Sequence, residues 1–289
     1  MMLVTGGRGQ LGRAIAVRAG ADVRAVDIDE LDIRDPAQVD HALADTPAAV
    51  IDCAAYTGVD RAETDADAAY AINRDGAATL ARACRARGIP LIHVSTDYVF
   101  DGTASRPYRE DDAIAPVGVY GASKAAGDAE VHAAGGVVVR TSWLFGDGGP
   151  SFVHTMIRLA RERLAVRVVD DQHGCPTYAG DLANALLALA RRAAGGGFLD
   201  PTYHYCNAGA TTWHGFATAI VDELRTLADG PPVVCTRVVP ITTAEYPTPA
   251  RRPAYSVLDT ARIATLGIVP PHWRAGMQRV VAHAVRGGS

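Results

Sequence analysis

Met2-Leu3-Val4-Thr5-Gly6-Gly7-Arg8-Gly9-Gln10-Leu11-Gly12 runs from an apolar strand through a glycine loop, and Gln10 to Arg18 continues it as a helix. The glycines fit two spacings: Gly7, Gly9 and Gly12 match G-x-G-x-x-G, while Gly6, Gly9 and Gly12 match G-x-x-G-x-x-G. In either register the backbone can turn tightly and approach a pyrophosphate. The helix start behind it offers unpaired N–H groups and a positive dipole end. A strand, a glycine turn and a helix in this order point to a dinucleotide site. Gly6, Gly9, Gln10, Leu11 and Gly12 are its candidates.

Beyond this loop, strands and helices alternate. Asp22 to Asp27, Ala48 to Cys53, Leu91 to Ser95 and Gly136 to Arg140 read as strands, and Ala37 to Ala44, Asp65 to Arg87 and Gly121 to Ala133 as helices. Continuously apolar strands between helices imply a parallel sheet covered on both faces. After about Thr141 the rhythm loosens. Phe152 to Arg163, Asp181 to Arg192 and Thr211 to Leu227 read as helices, Val233 to Val239 as a strand, and Tyr246 to Pro253 as a proline-rich loop. The expected fold is α/β, a Rossmann-type doubly wound parallel sheet with a smaller C-terminal α/β substrate-binding part. Residues 1–145 would form the dinucleotide-binding domain, with part of 170–195 packing back onto it, and 146–289 mainly the substrate-binding region.

The 289 residues are 48% hydrophobic and 21% charged, which suits a globular core and argues against disorder. A net charge of −4 gives no basic footprint, so nucleic acid is not an expected partner. No apolar run approaches the roughly 18 residues of a membrane span. No basic stretch followed by an apolar signal segment is present, so export is not expected. The five cysteines, Cys53, Cys84, Cys175, Cys206 and Cys235, are scattered without a C-x-x-C pair, which fits a reducing cytoplasm. His154, His173 and Cys175 lack ligand spacing, and no metal is expected.

Lysine and arginine total 28, yet Lys124 is the sole lysine. A surface that needs only charge accepts arginine everywhere, but a site that needs a compact ammonium does not. Lys124 follows Tyr120 by four residues, on one face of a helix. With 10 tyrosines in the chain, chance would place the lone lysine so only about 3% of the time. The pairing makes chemical sense. A ketone accepting hydride needs a proton donor, and an ammonium beside a tyrosine stabilises the phenolate and lowers its pKa. Thr96, at the end of its strand, can orient a carbonyl oxygen. Asp27 ends the second strand, where an acid takes ribose hydroxyls. Asp32 and Ile33 could line the adenine pocket. Asp27 leans towards NADH and Arg8 towards NADPH, so both stand as cofactor.

At this point the residues resemble the extended short-chain dehydrogenase/reductases. Longer stretches narrow the resemblance to the dTDP-4-dehydrorhamnose reductase family. They are Cys53 to Glu63, Ser95-Thr96-Asp97-Tyr98-Val99-Phe100, Val119 to Lys124, Arg140-Thr141-Ser142-Trp143-Leu144-Phe145, Asp171 to Thr177 and Thr248-Pro249-Ala250-Arg251-Arg252-Pro253. The resemblance implies reduction of the C4 ketone of a dTDP-4-keto-6-deoxyhexose by NADPH or NADH. It makes Tyr120 the proton donor, Lys124 its tuner and ribose ligand, and Thr96 the orienting hydroxyl. Ala54, Ala55 and Thr57 would line the cofactor, and Val59, Tyr98, Trp143 and Arg252 the substrate. Some relatives dimerise around magnesium held by carboxylates. Ala14 and Gly180 stand at the matching positions, so a monomer or a metal-independent homodimer is expected. A 4,6-dehydratase would need a second acid after Asp97, where Tyr98 stands. A transient epimerase, a reductase of another TDP-4-keto-6-deoxyhexose and a non-catalytic regulatory subunit of the same fold are the remaining readings. Retention of the only lysine at the catalytic position favours an enzyme.

Overall fold

The computed structural model of the chain describes residues 1–227 and 232–286. Six parallel strands form one sheet in the order Thr202–His204, Val137–Thr141, Leu91–Thr96, Val50–Asp52, Met2–Thr5 and Val23–Ala25. The strand order reverses between Met2–Thr5 and Val50–Asp52. That switch point is where doubly wound sheets open a ligand crevice.

Alternation along the strands explains why they read as continuously apolar. Met2, Val4, Ile51, Ile92 and Val139 pack on one side against the helices Gln10–Ala19 and Ala179–Ala194, through Leu11, Ile15, Leu182 and Leu186. Leu3, Val50, Leu91 and Val138 pack on the other against Val39, Leu80 and Val131. Burial of this kind contributes roughly 25 cal/mol per Å² of apolar surface, so both faces must be covered. The helix Ala179–Ala194 thus lies on the first sheet, and Thr202–His204 adds an edge strand to it. A second core, from Phe145 to Val281, joins the helices Phe152–Glu162, Trp213–Thr226 and Trp273–Val285 to the parallel pair Ala165–Val169 and Arg237–Ile241.

Several boundaries differ from the sequence reading. The strand expected over Val233 to Val239 forms at Arg237–Ile241, where it can pair with Ala165–Val169. Beyond the proline-rich loop the chain closes on a helix of 13 residues, Trp273–Val285. The single helix expected from Asp65 to Arg87 is interrupted. Ala66–Tyr70 and Ala77–Ala86 flank a π-helical turn, Ala71–Gly76. That wider turn carries buried Asn73, whose Oδ1 accepts from Tyr56 N at 2.8 Å and whose Nδ2 donates to Ser123 Oγ at 2.9 Å. The turn therefore ties this helix to the one bearing Tyr120 and Lys124. Such insertions concentrate at functional sites.

Candidate functional site

The glycine loop sits at the switch point. Gly6 has φ of +64°, and a Cβ there would lie 2.8 Å from the Cys53 carbonyl. A Cβ on Gly12 would collide with the backbone of Gly6 and Gly7. These two demands favour the Gly6, Gly9, Gly12 register. Gly9 caps the helix Gln10–Ala19 with no side-chain bond, which leaves the first N–H groups free for an anion. The side chain of Leu11 is buried in the core, so only its backbone can serve a ligand. The Gln10 amide donates to the Pro150 carbonyl at 2.5 Å across the cleft.

Two hollows meet at this loop. The larger, about 610 Å³, runs from Gly9 and Gln10 past Ala55, Thr57 and Val59 to Thr96, Tyr98, Tyr120, Lys124 and Trp143. The smaller, about 330 Å³, is walled by Asp27, Asp32, Ile33 and Ala54. Gly6, Gly9, Cys53, Ala55 and Thr57 border both. Among the sequence-predicted site residues only Arg252 lies outside these two. It borders a neighbouring hollow of about 550 Å³ with Asp101 and Asp171.

At the smaller end, Asp27 accepts from Arg8 N at 2.7 Å and Ile28 N at 2.9 Å. Burial works against its charge, but these bonds and the Arg8 guanidinium hold its carboxyl below the usual range. Arg8 turns its guanidinium mainly to Asp29 and stays 3.7 Å from Asp27. Asp32 is gripped by Arg34, whose hydrogen bonds keep its carboxyl low.

At the larger end, the helix Val119–Ala133 begins two residues before its expected start, so Tyr120 stands in the first turn. Gly121 lets this turn press on the Tyr98 carbonyl, where a Cβ would not fit. The Tyr120 and Tyr98 rings meet edge to face at 5.7 Å. Burial pushes the Tyr120 phenol up to about 12, eased by a hydrogen bond with Thr96. The net shift is upward, so burial outweighs the lowering expected from the ammonium in the resting site. Lys124 donates to the Val94 carbonyl at 2.8 Å and lies 3.0 Å from His93 Nε2, so two of its three donors are engaged within the sheet. Burial lowers the Lys124 ammonium, with Asp128 and Asp52 opposing. Thr96 donates to Asp97 Oδ1 at 3.1 Å and accepts from Tyr98 N at 3.2 Å.

Trp143 follows the strand Val137–Thr141 with φ of +46°, an uncommon conformation for a large side chain. Its ring stacks on Trp213 at 3.6 Å and lies against Gly174, where a Cβ would meet the indole. Strained backbone held by packing concentrates at ligand sites. Arg252 pairs with Asp60 at 2.9 Å and also donates to Thr248 and Ala250, which pins its loop to the helix Val59–Ala62. Arg18 donates to the Ala14 carbonyl at 3.2 Å, and its guanidinium fills the space where a Gly180 side chain would go. Among the described residues no group of three His, Cys, Asp or Glu side chains could hold a metal ion, and no helix is long and apolar enough to cross a membrane.

Sequence reasoning missed Trp213, Asp52 and His93. Asp52 ends the apolar strand Val50–Asp52 and His93 interrupts the apolar strand Leu91–Thr96, and those polar positions are the available signal.

Residues 1–286 match the family described as the RmlD substrate binding domain. A dTDP-4-dehydrorhamnose reductase of Streptomyces griseus is 46% identical, over 95% of this chain and 91% of its own length. A probable dTDP-4,6-dihydroxy-2-methyloxan-3-one 4-ketoreductase of Streptomyces antibioticus is 42% identical, over 96% and 92%. A solved dTDP-4-dehydrorhamnose reductase from Bacillus anthracis, in complex with NADP, is 37% identical and aligns with a TM-score of 0.89, over 97% of this chain and 98% of that one. Similarity runs from the glycine loop through the Tyr120–Lys124 helix to the last helix, and the chain belongs to the dTDP-4-dehydrorhamnose reductase family.

Proposed function

We propose that this chain reduces the C4 ketone of dTDP-4-dehydro-L-rhamnose to dTDP-L-rhamnose, with NADPH or NADH as reductant. The observation that carries this is a single cleft holding the glycine cradle, Thr96, Tyr120 and the sole lysine. The cradle fits a dinucleotide, because backbone fills the space that side chains at Gly6 and Gly12 would need. The uncapped helix start would hold its pyrophosphate, and Asp27 its adenosine ribose. When bound, the cofactor supplies the hydride to C4.

The residues do the rest. Tyr120, protonated because burial raises its phenol, gives its proton to the carbonyl oxygen as that oxygen becomes an alkoxide. The Lys124 ammonium stabilises the phenolate left behind and offers a donor to the nicotinamide ribose. Thr96 directs its hydroxyl to the same carbonyl oxygen. Val59, Tyr98 and Trp143 wall the sugar. Arg252, beside Tyr98, is the guanidinium for the nucleotide diphosphate, a fork suited to that anion.

Arg18 stands as a fixed cation between Ala14 and Gly180, where a hard metal would need oxygen donors. This supports a monomer or a metal-independent homodimer. Five free cysteines, four of them buried, support a reducing cytoplasm.

The test is loss of reduced-nicotinamide absorbance with dTDP-4-dehydro-L-rhamnose, run with NADPH and NADH in parallel. Substrate-dependent oxidation yielding dTDP-L-rhamnose is expected. No oxidation by protein that binds either cofactor would overturn the assignment. A higher kcat/KM on another dTDP-4-keto-6-deoxyhexose would replace the sugar.

A further inference from the structure

A row of polar side chains crosses the sheet beneath Lys124. Thr5 pairs in register with Asp52, and Asp52 with His93, on three adjacent parallel strands. Side chains in register point to one face, and here that face is covered by the helix Val119–Ala133. Thr5 Oγ1 donates to Asp52 Oδ1 at 2.5 Å, His93 Nδ1 lies 2.7 Å from Asp52 Oδ2, and Lys124 Nζ completes the chain at His93 Nε2. Lys124 is 2% exposed, and the other three residues are buried more deeply still.

The donor inventory assigns the protons. An ammonium has only donors, so Nε2 accepts, and the ring proton sits on Nδ1 facing the carboxylate. Burial opposes the Asp52 charge, but hydrogen bonds from His93 and Thr5 outweigh it and keep its carboxyl low. Of the other charged groups packed against the row, Asp128 lies 4.0 Å from His93 Nε2, is bonded by Arg140 at 3.3 Å, and acts with Asp52 to hold the Lys124 ammonium against burial. The neighbouring Cys53 thiol is pushed far up by burial and stays neutral. A buried ammonium without a counter-charge tends to lose its proton.

We infer that Asp52 and His93 are positioning residues of the reduction: the Asp52 carboxylate, linked through the fixed His93 ring, keeps Lys124 an ammonium and fixes where its Nζ stands. This rests on the Tyr120–Lys124 reading above. It assigns the row a task beyond packing, because two polar residues in the middle of an apolar sheet would otherwise only add desolvation cost.

The lone lysine makes a direct test possible. Full-length protein with 13Cε-labelled lysine, carrying a lysine-free tag, has one lysine signal, so its titration reads Lys124 alone. Asp52→Asn keeps the shape and removes the charge. Its Lys124 midpoint should fall by about one pH unit or more. The alkaline limb of kcat should move to lower pH with it, with KM for the sugar unchanged. His93→Gln keeps an acceptor near Nε2, whereas His93→Asn keeps only the Asp52 side, so Gln should retain more kcat than Asn.

Coincident lysine midpoints in wild type and folded Asp52→Asn would overturn the inference. So would equal losses in both His93 variants with the alkaline limb unmoved. If Asp52→Asn does not fold, the His93→Gln midpoint decides the same question, because that change cuts the link to the carboxylate. The titration needs no turnover. An enzyme inactive on the sugar would therefore sink the proposed function and still leave the row to be tested by its lysine signal.

Discussion

The two ends of the cleft treat charge in opposite ways. At the glycine-loop end Arg8 and Asp29 pair with 57% and 59% of their side chains exposed. Beneath the helix Val119–Ala133, Asp52, His93 and Lys124 form a bonded row closed to solvent. In water a pair of charges contributes little and yields easily to a ligand. In the sheet interior a charge must be matched, and its geometry becomes rigid. Rigid chemistry at one end and adjustable recognition at the other is the division that a hydride-transfer site of this shape calls for.

The largest effects should come from the closed end. Tyr120→Phe removes one hydroxyl from a buried ring and should lower kcat by about 10²–10⁴-fold while cofactor affinity stays unchanged. Stopped assays paired with NADPH fluorescence titration check both halves, and a wild-type rate would remove Tyr120 from the chemistry. Lys124→Arg keeps the charge but asks a planar guanidinium to fit between His93 and the Val94 carbonyl. Overpacking there should cost about 1–3 kcal/mol of stability. It should also lower kcat at least tenfold, seen by thermal melts and initial rates. An active, equally stable arginine variant would show that only positive charge matters at this end.

Asp97 lets the closed end be probed by pH. It is buried, and burial raises its carboxyl to about 6 despite hydrogen bonds from Ser256 and Thr96. The folded value lies above the unfolded 3.8, so the folded state binds this proton more tightly. The resulting stability is complete below pH 3.8 and is lost as pH rises through about 6. Wild type should therefore lose up to about 3 kcal/mol across that window relative to Asp97→Asn. Melts spanning that window decide it, and parallel curves for the two proteins would mean that Asp97 stays charged in the fold.

How much of this was legible in the sequence follows the same division. The glycine loop, Tyr120 and Lys124 declare themselves locally, because a tight turn and a proton donor need particular residue types at fixed spacing. The row under Lys124 does not. Asp52 and His93 are 41 positions apart, and nothing in either strand announces the other until the register aligns them. The π turn at Ala71–Gly76 was hidden for a different reason: Ala-Ile-Asn-Arg-Asp-Gly suits an ordinary helix, and the extra width comes from Asn73 reaching Tyr56 and Ser123. Trp143 was expected in the pocket, but its left-handed backbone is set by stacking on Trp213, far along the chain. Arg252 was assigned to an anion, and the structure supplies its resting partner, Asp60.

The smallest effect belongs to the open end, and it sharpens the comparison most. Arg8 borders the cleft close to Asp27, but its guanidinium is engaged with Asp29. Breaking an exposed pair of this kind costs at most about 1 kcal/mol, so Arg8 is free to meet a 2′-phosphate. Asp27, charged and bonded by the Arg8 and Ile28 N–H groups, favours a ribose hydroxyl in the same place. Arg8→Ala should therefore lower the NADPH-to-NADH ratio of kcat/KM by no more than about fivefold, the factor that 1 kcal/mol allows. Salt should shrink the wild-type ratio towards that of the variant, because screening acts on exposed charges. It should leave kcat itself alone, because the row beneath Lys124 is out of reach of ions. A ratio that moved by orders of magnitude, or a kcat that fell with salt, would mean that the two ends are not electrically separate after all.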